Sequence, residues 1–294
     1  MKVYLDCYPC FLRQALDAAR FATDDEQTQQ IVLRSVMRAV ADFNMSCPAP
    51  VAAQMIHRVV RELTGLADPY AEAKQRCNRI AIDMYREMKE LVSASNAPLE
   101  TAIRLAIAGN IIDFGVKSEI HISDIRETVA DSLASEMPRT EMDAFGEALA
   151  EAENILYLAD NAGEIVFDRL LIEQLPMEKV VVAVRGLPAI NDATIQDAKI
   201  AGITELVEVI DNGSDAPATI LEDCSERFLD AFNRADLIIA KGQGNYETLS
   251  DVDKNIFFLL KAKCPVIAGH IGCEVGELIL KRNKTYSGFA CAGR

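Results

Sequence analysis

From Ile155 onward the chain repeats one pattern: a short apolar run, an abrupt cluster of polar and glycine residues, then helical spacing. Ile155–Ala159, Val180–Val184, Leu206–Ile210, Leu237–Ala240 and Val266–Ala268 have the length of strands. Most are separated by helical segments such as Ile165–Leu175 and Ile220–Ala235. Strands alternating with helices imply a parallel sheet joined by right-handed crossovers. The polar clusters fall in register after the runs: Asp160-Asn161, Arg185 to Asp192, Asp211-Asn212-Gly213-Ser214, Lys241-Gly242-Gln243-Gly244-Asn245, and Gly269-His270. A doubly wound sheet gathers such ends along one rim, where open α/β sheets build their sites.

The first half reads differently. Phe11, Leu12, Ala15, Leu16 and Ala19, and then Ile31, Val32, Val36, Ala39 and Val40, recur at helical spacing. Asp24 and Thr28 mark the start of the second helix, Pro48 and Pro50 break the chain, and Asp68-Pro69 and Ala97-Pro98 open further helices. Ser123 to Glu127 suggests a loose cap. Nothing here alternates with period two. The expected organisation is a mainly helical domain over 1–150 and a Rossmann-like α/β domain over 151–294.

At 294 residues and 50% hydrophobic content the chain can bury a sizeable core. No apolar run approaches the about 18 residues of a membrane span, and Met1 to Asp6 lacks the apolar stretch of a secretory signal. Eight cysteines scattered over this length suggest reduced thiols and a cytoplasmic protein. The formal charge of −15 argues against nucleic acid as a partner. It still permits a small anionic substrate, because local cations and helix N-termini can reverse the field inside a pocket.

The richest cluster is Leu156 to Glu164, where a carboxylate and a carboxamide follow an apolar run and a glycine opens a helix. Asp160 and Asn161 offer oxygen donors with a single formal charge, and Asn191-Asp192 after the next run offers a second pair. Such oxygen sets suit Mg²⁺ or Mn²⁺. The bland alternative is that Asp160 merely caps the following helix. Glu164 at that helix start is read first as a partner of the helix dipole and second as a general base. Lys241 with its glycines can present a cation and backbone N–H groups to a phosphate, or be a solvated turn lysine. Asp211 to Ser214 is either a plain turn or a way of placing a hydroxyl near substrate. Gly242 to Glu247 lacks the third glycine of a dinucleotide fingerprint, and neither a Walker A loop nor a nucleophile elbow is present.

Cys7-Tyr8-Pro9-Cys10 heads a helix without the βαβ setting of a thioredoxin motif and without a second pair to complete a zinc site. On spacing alone it is either inert or functional. His57, His121 and His270 are isolated in sequence, and only His270 follows a strand-like run.

Taken together these motifs resemble the metal-dependent damage-control phosphatases of the ARMT1-like superfamily, in particular an archaeal and bacterial branch with an N-terminal Cys-x-x-Cys. The matching residues are Cys7 to Cys10, Asp68-Pro69-Tyr70 with Lys74 and Asn78, Gly109 to Asp113, Asp160 to Glu164, Arg185 to Pro188 with Asn191-Asp192, Asp211 to Ser214, and Lys241 to Asn245. The resemblance implies a helical domain packed on an α/β domain, and a divalent metal (Mn²⁺, Co²⁺, Ni²⁺ or Mg²⁺) held by Asp160, Asn161 and Asp192. It implies substrate contact by the Gln243–Glu247 stretch and a functional role for the thiols of Cys7 and Cys10. Another branch carries a phosphate-binding lysine in an Arg-Thr-x-Lys motif that this chain lacks; Lys263 occupies a comparable place.

The resulting expectation is a hydrolase of small phosphomonoesters, such as damaged or side-product metabolites, sugar phosphates or nucleotides. Asp160, Asp192 and Lys241 would act in catalysis. Asn161, Gly163, Arg185, Asn191, Ser214, Gln243, Gly244, Asn245 and Lys263 would bind substrate. The alternatives are an S-adenosylmethionine-dependent carboxyl methyltransferase and a non-catalytic metal- or nucleotide-binding protein.

Overall fold

A computed structural model describes residues 1–110 and 122–286. Ile111, Ile112, Asp113, His121 and Cys291 lie outside the described residues.

The chain opens with three helices, α1 (Cys7–Ala22), α2 (Glu26–Ala41) and α3 (Ala49–Thr64). They enclose their own core, which includes Phe11, Ala15, Val32, Val36, Ile56 and Val60. The cap of α2 is Asp25, whose carboxylate accepts from the Thr28 amide at 2.9 Å, one residue beyond the expected start. Pro50 sits in the first turn of α3, where its missing N–H costs nothing, and Gly65 closes that helix in the left-handed region at φ 71°. Gln54, Arg58 and Arg61 on α3 all donate to Asp215, and Arg61 also donates to the Pro188 carbonyl at 3.2 Å. These bonds fix the three-helix unit over two of the polar loops of the second half.

Four further helices follow, α4 (Ala71–Ala94), α5 (Pro98–Ala108), α6 (Ile122–Ala134) and α7 (Arg139–Glu151). Their apolar residues merge with one face of the sheet in a continuous core. The strands are β1 (Ile155–Leu158), β2 (Val180–Val184), β3 (Glu208–Asp211), β4 (Leu237–Lys241), β5 (Ile256–Lys261) and β6 (Leu278–Arg282). Their order is β3-β2-β1-β4-β5-β6; the first five pair in parallel and β6 runs antiparallel beside β5.

Burial on both faces explains the unbroken apolar runs. Tyr157, Val182, Ile239 and Phe257 point into the layer formed by α4, α5 and α8 (Glu164–Ile172). Their neighbours Leu158, Ala183, Ile238 and Phe258 point into the layer of α10 (Glu226–Arg234), α11 (Gly242–Leu249) and α12 (Pro265–Ile271). Each buried aliphatic or aromatic side chain contributes about 1.5–3 kcal/mol, so truncating Phe258, with 0% exposure, would cost about 3–5 kcal/mol. The remaining helix, α9 (Ile195–Ile200), joins β2 to β3 and carries a reciprocal Thr194–Asp197 capping box.

Two strand assignments are corrected. Val266–Ala268 lies in α12, because Pro265 occupies a first helical turn, for which its fixed φ is suited. The strand of that region is Ile256–Lys261, and His270 therefore follows no strand. Short apolar runs buried on all sides have no periodicity to separate the two states. The edge strand Leu278–Arg282 also escaped the sequence pattern. Within Ile220–Ala235, a 3₁₀ turn at Leu221–Asp223 precedes α10, which Ser225 caps by accepting from Phe228.

Candidate active site

β1 and β4 are neighbours although β2 and β3 intervene in the chain, so the crossovers leave in opposite directions beside them. The carboxyl ends at this switch point form the crevice where such sheets bind ligands. Asp160 and Asn161 leave β1 there, and Gly242 leaves β4. Gly242 has φ 79°, and a Cβ at that position would fall 1.9 Å from Oδ2 of Asp160. Only glycine lets the β4 end approach the carboxylate this closely.

The loop after β2 is stitched to the same point. Asn161 and Asp192 form an isolated antiparallel bridge, Ala162 N donates to Asn191 O at 2.8 Å, and Ala193 N donates to Asp160 O at 2.7 Å. Next to it, Ile190 is held at φ 47°, a left-handed conformation that costs a β-branched residue of order 1–3 kcal/mol. Its side chain packs on the three-helix core. The strain is thus held where two strand ends and the helical unit meet.

Asn161 spends its amide nitrogen on carboxylates, donating to Asp160 Oδ2 at 2.8 Å and to Glu164 Oε2 at 2.9 Å. Its carbonyl oxygen is therefore the end left for a ligand. Glu164 accepts in addition from Asn110 Nδ2 at 2.7 Å and from Lys241 Nζ at 2.8 Å. Lys241 also donates to Ala106 O at 2.8 Å and to Asp168, which accepts in turn from the Tyr157 hydroxyl at 2.8 Å. On the other side Arg185 Nε donates to Asp192 Oδ2 at 2.6 Å, and its Nη2 lies 3.7 Å from Asp160 Oδ1. That Nη2 is buried without a hydrogen-bond acceptor among the described residues.

The charges do not cancel. Asp160, Glu164, Asp168 and Asp192 crowd together with Arg185 and Lys241, all with side chains 13% exposed or less. By formal charge the four carboxylates outnumber the two cations of this buried group, and Lys263 acts on Asp160 as a further cation from the cavity wall. Burial pushes the Asp160 carboxyl well above its usual range, and Glu164 and Asp192 add to the effect; Arg185 and Lys263 oppose it. Burial likewise raises Asp168 to about 6, against the pull of Lys241. For Lys241 burial works the other way, but Asp168 and Glu164 outweigh it and hold the ammonium above the ordinary lysine range.

A cavity of about 740 Å³ opens in front of this cluster. Of the expected site residues, Asp160, Asn161, Asn191, Asp192, Gln243, Gly244, Lys263 and Cys10 line it. Others stand elsewhere. Lys241 is neither a solvated turn residue nor a cavity cation: it is fully buried and bonded to two carboxylates and a carbonyl. The Gly163 amide donates to Asn78 Oδ1 at 2.7 Å, the Ser214 hydroxyl donates to Asp223 at 2.5 Å, and Asn245 bonds Thr219 and the Lys241 carbonyl. Arg185 lies behind the two aspartates rather than on the cavity wall. A separate hollow of about 450 Å³ lies at the amino ends of the strands, lined by Glu153, Lys179 and Glu205, and brings no comparable set together.

Asn110, within the matching Gly109–Asp113 stretch, carried no site role in the sequence, and of α1 only Cys7 and Cys10 did. The spacing along α1 showed only its apolar repeat, and nothing local to Asn110 pointed to Glu164, its partner 54 residues on. Cys7 sits behind Cys10: burial raises its thiol pKa, and Glu247, Cys10 and Cys264 add smaller repulsions that place these groups in one neighbourhood. Among the described residues no three His, Cys, Asp or Glu side chains converge as a ready metal cage. The Asp160–Asn161–Asp192 set has two carboxylates and a carboxamide, so it would hold a metal weakly enough to leave positions for substrate and water.

A sequence model of the damage-control phosphatase ARMT1-like domain matches residues 3–279. The chain belongs to that family. It is 36% identical over 290 residues to a damage-control phosphatase of Pyrococcus horikoshii, covering 97% of this chain and 99% of that one. It is 36% identical over 287 residues to a damage-control phosphatase of Archaeoglobus fulgidus (96% and 99%), and 39% identical over 297 residues to an uncharacterised protein of Methanocaldococcus jannaschii (96% of each). The crystal structure of a DUF89 family protein from Pyrococcus horikoshii superposes with a TM-score of 0.86 at 35% identity, over 97% of this chain and 100% of the other. Among the described residues no helix is long and apolar enough to cross a membrane.

Proposed function

We propose that this member of the damage-control phosphatase family hydrolyses small phosphomonoesters with the help of one divalent cation, held by Asp160, Asn161 and Asp192. The observation that carries this reading is the excess of carboxylates over cations buried at the switch point, beside a carboxamide whose nitrogen is spent on two of those carboxylates, which leaves its oxygen for a ligand. Hard oxygen donors on rigid strand ends suit Mn²⁺, Co²⁺, Ni²⁺ or Mg²⁺. Bound there, the cation would polarise a phosphoryl oxygen and lower the pKa of water.

The protein's own groups divide the remaining work. Lys263, on the cavity wall, neutralises charge on the non-bridging oxygens. Arg185 holds Asp192 in place, and its spare Nη2 donor answers negative charge gathering near Asp160. Lys241 touches no substrate; it positions Glu164, which positions Asn161. Gln243 accepts from the Lys263 backbone amide through Oε1 at 3.2 Å and donates to Glu247 at 3.0 Å, fixing the wall beside the phosphate. No histidine lines the cavity among the described residues, so these groups and the cation would carry the chemistry.

The decisive test is release of inorganic phosphate from an aryl phosphate by chelator-treated protein, with and without added Mn²⁺. Asp160→Ala, Asn161→Ala and Asp192→Ala should each lower the metal-stimulated rate by more than about a hundredfold while the fold survives. Metal binding by calorimetry without any turnover would instead favour the non-catalytic binding module. Methyl transfer from a labelled donor would favour the methyltransferase, whose glycine-rich loop is replaced after β1 by Asp160-Asn161-Ala162-Gly163-Glu164.

A further inference from the structure

Asp192 closes a tight turn whose first central residue is ill suited to its backbone. The Asp192 amide donates to the Ala189 carbonyl at 2.9 Å, and Ile190 stands between them at φ 47°. A positive φ at that position marks the primed turns, which Gly, Asn and Asp dominate. Asn191 beside it would tolerate the left-handed region, yet Ile190 is the residue that adopts it. Among the described non-glycine residues only Ala218 shares a positive φ. A β-branched residue persists there only where its surroundings hold it.

The surroundings that hold Ile190 are the helices. Its side chain packs against the core of the three-helix unit, and among the described residues every other apolar side chain of that core comes from Val3 to Ala73. The same loop is held from both sides: Arg61 Nη1 on α3 donates to Pro188 O at 3.2 Å, and Ala162 N after β1 donates to Asn191 O at 2.8 Å. Glycine at 190 would remove the strain but would leave the helical core without this contact. Resting on the metal reading above, we infer that Ile190 is a positioning residue, whose side chain keys the loop into the three-helix unit and so fixes the Asp192 carboxylate for the cation. The helices thereby support the metal site although none of its three proposed ligands lies on them.

Calorimetric titration of the chelator-treated full chain with Mn²⁺, beside thermal melting of the same samples, tests this. Ile190→Gly relieves the left-handed strain and deletes the contact; it should melt close to the wild type yet bind Mn²⁺ about tenfold more weakly, as loss of support for a ligand implies. Ile190→Ala keeps a Cβ and adds no glycine freedom, and it should weaken binding by a similar factor. Ile190→Val, which keeps most of the contact, should stay close to the wild-type affinity. Leu33→Ala trims the same core from α2, outside the cavity, and should lower Tm while leaving Mn²⁺ affinity unchanged. Wild-type affinity in both Ile190→Gly and Ile190→Ala, or an equal loss in Leu33→Ala, overturns the inference while the metal reading stands. So does unfolding of the chain by both truncations, which would make Ile190 a residue of the fold alone. If the wild type itself binds no Mn²⁺, the metal reading falls, and the inference falls with it.

Discussion

The amide nitrogen of Asn161 lies 2.9 Å from Oε2 of Glu164, and this bond engages the nitrogen end of the carboxamide and leaves its oxygen for a ligand. Glu164 is itself 1% exposed and pinned by Asn110 and Lys241, so it cannot swing away to become a base in the cavity. Removing it should act on the metal through its ligand. Glu164→Ala is expected to weaken Mn²⁺ binding and to lower kcat by about 10–100-fold each, the usual effect of losing a group that orients a ligand. Calorimetric titration of Mn²⁺ beside steady-state kinetics checks this; unchanged metal affinity would show that Asn161 keeps its orientation without Glu164.

Lys241 was expected to meet the substrate phosphate, and the structure gives it a different task. Its ammonium is buried between Glu164 and Asp168. Lys241→Met should strand two buried carboxylates and destabilise the fold by about 3–5 kcal/mol, with a matching fall in melting temperature. Lys241→Arg keeps the charge but not the space. If Lys241→Met melts like the wild type and only its KM for phosphoesters rises, the phosphate-binding role is restored.

That misplacement shows how far residue type and spacing reach. The strand ends were legible because runs buried on both faces are broken abruptly by Asp, Asn, Gly and Lys, and the sheet's topology brings those breaks together. Where a side chain goes after leaving the strand is a separate matter. Lys241 shares the parity of Leu237 and Ile239, whose side chains enter the α4–α5 layer, so alternation along β4 sends its ammonium beneath the site. Gly242, one residue later, reaches Asp160 instead. The exchange of Ile256–Lys261 for Val266–Ala268 has another cause: both are short and apolar, and only Pro265 distinguishes them. Tertiary partners such as Asn110, 54 residues away from Glu164, leave no trace in local spacing.

The thiols separate a metal role from a packing role. Cys10 lines the cavity and is exposed, while Cys7 is half-buried with a raised pKa, so Cys10 is the more accessible thiol. With no cage of three ligands around them, the double variant Cys7→Ser, Cys10→Ser should keep the metal content of the wild type, measured by elemental analysis. Its activity should fall by less than about tenfold, through altered packing of α1 on the cavity. Loss of one bound equivalent of Co²⁺, Ni²⁺ or Zn²⁺ in that variant would instead establish a second, soft metal site at the thiols.

His57 sets an acid limit on the fold. Its ring is 2% exposed and packs edge-on to Tyr70, with Nε2 buried and unbonded among the described residues. Burial, with a smaller repulsion from Arg61, pushes its pKa down to about 3. The unfolded chain, with a histidine pKa near 6.5, therefore binds a proton that the folded chain refuses. Stability is unaffected above about pH 6.5 and is lost as pH falls, by about 1.4 kcal/mol per unit, until about pH 3. His57→Phe keeps a ring against Tyr70 and removes the titration. Between pH 7.5 and pH 4.5 the variant should lose about 2–3 kcal/mol less unfolding free energy than the wild type, whatever its stability at neutral pH. Urea denaturation at the two pH values measures this difference directly, and equal losses would mean that His57 takes up its proton in the folded protein.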